Sequence, residues 1–330
     1  MKSPNFPIFI TFFIILSSLI LVVYAVPGIQ VTVSTGKLTY SYGELVQIYG
    51  DLERDGVLVT NALIAVQISD SRNNIVSIRT RSTGATPSPW SITLTELISC
   101  DASGNPRDTF KKGTLAYFKV TVKNLNTVSE RYVTVTVNLY DSNQVSFGIA
   151  WVGTTVGPNR EFTYLCSIPV PSEAPSGTAY AFVNAYNNWP KEKGIAYCAE
   201  KTAAFTITDG TSSSSSSSTN SPSTSQAGTY DLTFRLQSKP ALGDHIIYAS
   251  YYQTLATAKF DVFWILSDVS GPRGQRDGVV NLIDVFAVAK AYGSKLGDPS
   301  WNSKADVNGD KLVNLLDVYR VARDYGKTMA

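Results

Sequence analysis

Five oxygen-bearing side chains near the C-terminus, Asp306, Asn308, Asp310, Asn314 and Asp317, stand at positions 1, 3, 5, 9 and 12 of the stretch D-V-N-G-D-K-L-V-N-L-L-D. Alternate residues of a tight turn aim their oxygens at one centre. The backbone carbonyl of Leu312, at position 7, adds a ligand, and the position-12 carboxylate closes the shell from the first turn of a helix. That donor set is the chemistry of a bound Ca2+ ion, with position 9 often acting through a water. An interrupted copy lies upstream. Asp268 and Ser270 begin it, five extra residues within Gly271 to Arg276 break it, and Asp277, Asn281 and Asp284 complete it, with Val279 offering its carbonyl. Past the break the copies match at a constant offset of 33, as in Asp277/Asp310, Val280/Val313, Asn281/Asn314, Asp284/Asp317, Tyr292/Tyr325 and Gly293/Gly326. A duplicated region with two Ca2+ sites is the expectation. Lys311 occupies position 6 of the second loop, where the backbone favours positive φ and glycine is usual, so that loop should be either strained there or turned at Gly309.

Each loop leads into a helix. Leu282, Val285, Ala289 and Tyr292, and likewise Leu315, Val318, Ala322 and Tyr325, fall at helical spacing, with Gly293 and Gly326 where C-caps belong. Two short amphipathic helices burying these stripes against each other are expected. One polar loop alone would read as metal-free surface, but duplicated spacing followed by duplicated helices outweighs that reading. Over Leu266 to about Lys327 the chain resembles the type I dockerin module, an EF-hand-like pair of loop-helix motifs, and is similar to the dockerin-like tails of archaeal secreted proteins. The resemblance implies calcium binding and docking to a cohesin-like or other surface protein. Leu282-Ile283 and Leu315-Leu316 stand where cohesin-binding dockerins usually carry small polar residues.

The N-terminus is a targeting segment. Lys2 is the only charge in Met1 to Ala25, Phe6 to Ala25 is almost unbrokenly apolar, and Val23 and Ala25 suit the −3 and −1 positions of a cleavage site. An apolar run of this length also suffices for an uncleaved anchor. Either way the protein leaves the cytoplasm, to an extracellular or cell-surface location, and touches membrane only through this segment if it is retained. A net charge of +2 without a basic cluster argues against nucleic acid as a partner.

Between these ends the chain reads as mainly β. Ile29 to Ser34, Leu45 to Tyr49, Ala62 to Ser69 and Ile75 to Arg81 alternate as strands. The run from Tyr40 to Gly50 resembles the first half of a macroglobulin-like or immunoglobulin-like β-sandwich. Seven further strands between Trp90 and Asp209 suffice for a complete immunoglobulin-like sandwich, and Phe110 to Asn124 resembles cell-adhesion-related domains of surface proteins. Thr211 to Gly228 is a serine-rich linker. Beyond it Tyr230 to Leu236, His245 to Tyr252 and Ala258 to Ile265 are three strands, too few for a core of their own. Four strands plus three make seven. The expected organisation is a discontinuous sandwich over residues 28–83 plus 229–265, an inserted sandwich over 90–209, a linker over 210–228 and the dockerin-like module over 266–328. A small stand-alone sheet beside the tail is the alternative for the late strands.

The three cysteines all lie in the inserted unit, and export permits a disulfide. Cys166 falls in phase with a core face, which leaves Cys100 and Cys198 as the candidate pair among three pairings. His245, the single histidine, lies in a predicted strand, so no Ser-His-Asp or Cys-His mechanism has a base. Acidic residues outside the tail fall mostly at turns, and the expectation is that the protein is no enzyme. Trp189, in a proline loop, would either pack locally or contact a sugar. The sequence therefore points to a secreted or surface non-catalytic protein that docks through its tail, with β-sandwich spacer or adhesion domains. Alternatively it is a carbohydrate-binding or accessory component of a polysaccharide-degrading assembly. A third reading makes the tail an intramolecular calcium clasp.

Overall fold

The computed structural model describes residues 28–41, 43–210, 227–237, 241–263, 266–270 and 276–327. The targeting segment, most of the serine-rich linker and the inserted part of the first acidic loop lie outside the described residues. The fold is mainly β, with two sandwiches followed by a small helical module.

In the first sandwich the long strand Leu45–Arg54 alternates buried and exposed side chains, the period-2 signature of a sheet with one covered face. It pairs with Ile29–Val31, Ser34–Thr35, Val57–Leu58 and, from far along the chain, Thr229–Arg235. The facing sheet runs Thr39–Ser41, Thr254–Phe263, Gly243–Tyr251, Leu63–Ser69, Ile75–Ser82. Val46, Ile48, Leu52, Ile64 and Ile68 meet Tyr230, Leu232, Phe234, Ile247 and Phe260 in one core. Residues from both sides of the 90–209 region thus share one apolar interior.

The second sandwich packs the sheet Glu161–Pro169, Leu115–Asn124, Ile92–Cys100 on the sheet Ser146–Val156, Arg131–Tyr140, Gly177–Tyr186, Lys201–Thr208, Thr109–Lys111. Its core gathers Phe110, Phe118 and Phe205 with Val133, Val135, Val137 and Leu139.

The two sandwiches are pressed together. Leu63–Ser69 is buried at all seven residues, and Arg131–Tyr140 is buried from Val133 onward, so both faces of each strand are covered. The second faces mix an apolar patch, in which Leu63, Ala65 and Ile78 pack with Tyr186 and Ala196, with polar groups that find partners across the junction. Asn138 Oδ1 accepts from Ile78 N (3.1 Å), Thr80 Oγ1 donates to Tyr186 Oη (3.1 Å), and Ser146 Oγ donates to Val76 O. Arg79 donates twice to Glu200 at 2.7 Å, and its guanidinium lies 3.3 Å from the centre of the Phe182 ring. Glu200 also accepts from Asn184 Nδ2. A buried ion pair with its remaining oxygens met is tolerated, whereas removing one partner costs about 3 to 5 kcal/mol. The junction therefore sets one orientation of the two sandwiches.

Candidate metal centre

The C-terminal module is built from two helices, α1 (Leu282–Ala291) and α2 (Leu315–Arg323), each entered through an acidic loop. Asn281 and Asn314 are the N-caps, with the same backbone angles (φ −138°, ψ −167°). Each accepts from the second helical N–H, while Asp284 and Asp317 reach back to the N-cap N–H, completing two capping boxes. The repeats are tied by matching bonds 33 residues apart. Gly293 N donates to Val313 O and Val313 N to Ser294 O, and Gly326 N donates to Val280 O and Val280 N to Lys327 O.

In the second loop one oxygen each of Asp306, Asp310 and Asp317 falls within 4.8 Å of the others. Asp317 is fully buried and accepts from Asn308 N (3.0 Å) and Asn314 N (2.9 Å). Asp306 accepts from Gly309 N, Asp310 N and Lys311 N, and Asp310 from Leu312 N. Burial, joined by the nearby Asp317 and Asp310 charges, pushes the Asp306 carboxyl up against the pull of these hydrogen bonds. Gly309 (φ 78°) and Lys311 (φ 67°) are both left-handed, so the loop is turned at the glycine and strained at the lysine together.

The first loop solves the same problem with different parts. Gly278 (φ 83°) stands where the second loop has Lys311. Asp284, fully buried, accepts from Val269 N and Ser270 N at 2.7 Å and from Asn281 N at 2.8 Å. Asp268 is 4% exposed; its Oδ2 accepts from Gly278 N (2.8 Å), while its Oδ1 is buried without a hydrogen-bond partner. Burial, then the charges of Asp284 and Asp277, raise its carboxyl to about 6. Asp277 is exposed, and the three carboxylates do not converge into a cluster like that of the second loop. A buried carboxylate oxygen with no partner is costly, and a hard cation is the partner that the donor set fits.

Of each expected stripe only the second member packs inward: Val285 and Val318 are partly buried against the module core, and the other members are turned out. Leu282, Ala289 and Tyr292 are exposed, as are Leu315, Ala322 and Tyr325; the buried stripes are Asp284, Val288, Ala291 and Asp317, Val321, Asp324. The carboxylate at loop position 12 must point inward, which sets the helix phase. Residues four and seven positions later follow it in, and Leu282, Phe286 and Ala289 are turned out. The module's core is Val269, Val280, Val288, Val307, Val313 and Val321 with Trp301 against it.

Elsewhere the candidate disulfide is not formed. Cys100, Cys166 and Cys198 are all free and buried. Cys198 lies beside the Leu94 backbone near one end of Ile92–Cys100, while Cys100 ends that strand six residues away, roughly 20 Å at the rise of a strand and far beyond disulfide reach. Burial pushes the Cys166 and Cys198 thiols to about 12 and 11. His245 is buried, stacks on Phe260 at 5.1 Å and has Nδ1 3.0 Å from Gly243 O; burial lowers its basicity. Trp189 packs edge-on against Trp151 at 5.2 Å.

The Dockerin type I domain family matches residues 275–324, a span that takes in both helices and the whole second loop but begins past Asp268 and Ser270. The C-terminal module is type I dockerin-like. Dockerins are non-catalytic docking modules that typically bind calcium and occur in extracellular or cell-surface proteins. A search of curated proteins finds no match. Solved structures similar to this chain include the C-terminal domain of wzt (11% identity, 39% of this chain and 88% of the other, TM-score 0.30). A CARDB domain in complex with di-metal ions from Pyrococcus furiosus (16%, 38% and 95%, 0.26) and a Niemann-Pick type C2 protein from Japanese carpenter ant (12%, 38% and 96%, 0.25) are others. At these scores they carry no weight for what the chain binds. No helix among the described residues is long and apolar enough to cross a membrane.

Proposed function

We propose that the protein is an exported, non-catalytic surface or secreted protein that docks to a cohesin-like partner through its dockerin-like tail. Two Ca2+ ions would order that tail, one at Asp268, Ser270, Asp277, Val279, Asn281 and Asp284, the other at Asp306, Asn308, Asp310, Leu312, Asn314 and Asp317. Residues 28–83 plus 229–265 form the host sandwich, 90–209 the inserted one, and 210–228 the linker; residues 1–25 are the export signal or anchor. The observation that carries the reading is the pair of outward stripes. Leu282, Ile283 and Phe286 on α1 and Leu315, Leu316 and Tyr319 on α2 are between 42% and 69% exposed, an apolar surface presented twice by the same inward turn of a ligand carboxylate.

Calcium titration of the chain, followed by heat and by helical circular dichroism, tests it. Two binding events with a gain of helix support the full reading. A single event assigns calcium to one loop only, and no response removes calcium from the mechanism. Leu282→Asp combined with Leu315→Asp should leave calcium binding intact and abolish complex formation with a cohesin-like partner. A second reading, carbohydrate binding, draws on exposed aromatic rings where the sandwiches meet.

A further inference from the structure

Beside the junction of the two sandwiches lies a cleft of about 170 Å³ whose lining contains no charged residue. Asn61 and the hairpin residues Tyr251 and Tyr252 come from the first sandwich, Pro87 and Trp90 from the connection, and Ala196 from the second. Trp90 is 55% exposed yet held in place. Its Nε1 donates to Ala196 O at 3.0 Å and its ring lies 4.7 Å from that of Tyr197. Tyr252 is 58% exposed, with its ring 4.8 Å from Tyr251. It sits at φ 50° in the tight turn joining Gly243–Tyr251 to Thr254–Phe263, a position that Asn, Asp or Gly fills without strain. Among the described non-glycine residues with positive φ it is the one aromatic. A strained backbone holding an exposed ring at the mouth of a cleft is a feature that folding alone does not ask for.

Resting on the second reading above, we propose that this cleft binds a neutral sugar ring of a polysaccharide. Trp90 and Tyr252 supply flat apolar faces for the C–H face of a pyranose. Asn61 and the tyrosine hydroxyls supply uncharged donors and acceptors for its hydroxyls. The uncharged lining disfavours phosphorylated or acidic ligands, whose charge would be desolvated without a counter-ion. A proline-rich peptide also stacks on aromatic rings, but it needs an extended groove for successive residues rather than one compact cleft.

The full chain is titrated with the neutral hexaoses of β-1,4-glucan, β-1,4-xylan, β-1,4-mannan, chitin and α-1,4-glucan, with calcium and with EGTA, reading heat and tryptophan fluorescence. Binding of at least one hexaose is expected, weakened about tenfold or more by Trp90→Ala and by Tyr252→Asn, and unmoved by Trp189→Ala or EGTA. Tyr252→Asn should leave the thermal midpoint unchanged or raise it, because asparagine relieves the strained turn, whereas a purely structural tyrosine would lower it. The proposal is overturned if no hexaose binds, if binding survives both cleft variants, or if a polyproline peptide alone binds. A sugar response that vanishes in EGTA would move the site to the tail and also overturn it. Because the expected response is calcium-independent, its failure is separate from any failure of docking.

Discussion

The two acidic loops of the tail share a cap, a fold-back carboxylate and a helix, yet they collect their charge differently. In the second loop every Asp306 and Asp317 oxygen is met by a backbone N–H, and the three carboxylates converge in partly exposed surroundings. In the first loop Asp268 is buried with one oxygen unmet, and glycine takes the left-handed position. On the proposed calcium reading the first loop is the one whose closed geometry would depend on a cation, while the second is held by its own backbone and carries strain at Lys311. The two copies place their cost differently, in an unmet buried oxygen at the first loop and in left-handed backbone at Lys311 of the second.

The largest test of this contrast removes the fold-back carboxylates. Asp284→Ala leaves three backbone N–H groups without their acceptor and Asp317→Ala leaves two. Each should cost about 3 kcal/mol and melt its own helix, Asp284→Ala the more severely. Thermal melts followed by circular dichroism in calcium read the difference, and equal losses would erase the distinction between the loops.

Asp268→Asn should abolish calcium binding at the first loop while making the calcium-free tail no less stable, since it removes a buried charge with an unmet oxygen. Asp306→Asn should lose binding without that compensation. Calorimetry paired with melts in EGTA separates the two. A fall in calcium-free stability for Asp268→Asn would contradict the electrostatic account.

Acidity gives the third test. With its carboxyl raised to about 6 in the fold, Asp268 favours its proton there, so the calcium-free tail should gain stability as pH falls through about 6 and lose it as pH rises back through that value. Calcium affinity at the first loop runs the other way, falling on acidification because the ligand must be ionised. Melts in EGTA and calcium titrations between about pH 7 and pH 5 measure both slopes. The smallest effect is Lys311→Gly, expected to stabilise the tail by about 0.5 to 1 kcal/mol by relieving the left-handed backbone, and legible as a shift in thermal midpoint.

Much of this was legible one residue at a time. The strands at Ala116 to Lys123, Tyr132 to Tyr140 and Phe162 to Ile168 announce themselves by alternation, and they are observed at Leu115–Asn124, Arg131–Tyr140 and Glu161–Pro169. Less legible was what covers each face. Thr134, Thr136 and Asn138 look like the solvent side of a strand, yet all three are buried, Asn138 against the Ile78 backbone of the other sandwich, and nothing local distinguishes a polar face that meets water from one that is covered. The cleft at Trp90 and Tyr252 escaped sequence reasoning because its walls are about 160 residues apart along the chain. A tyrosine in a hairpin turn, where φ is positive, was the available signal.

The sequence by itself determined the duplication, the oxygen donors at their spacing, the helix caps and the β alternation, because each depends on residues within one or two turns of one another. Tertiary structure alone decided that Leu282 and Leu315 face outward rather than pack on each other, that Cys198 lies beside the start of the strand that Cys100 ends, and that two sheet faces close on an Arg79–Glu200 pair beside an apolar patch. Periodicity reports that two faces differ; which one is covered depends on partners brought from elsewhere in the chain.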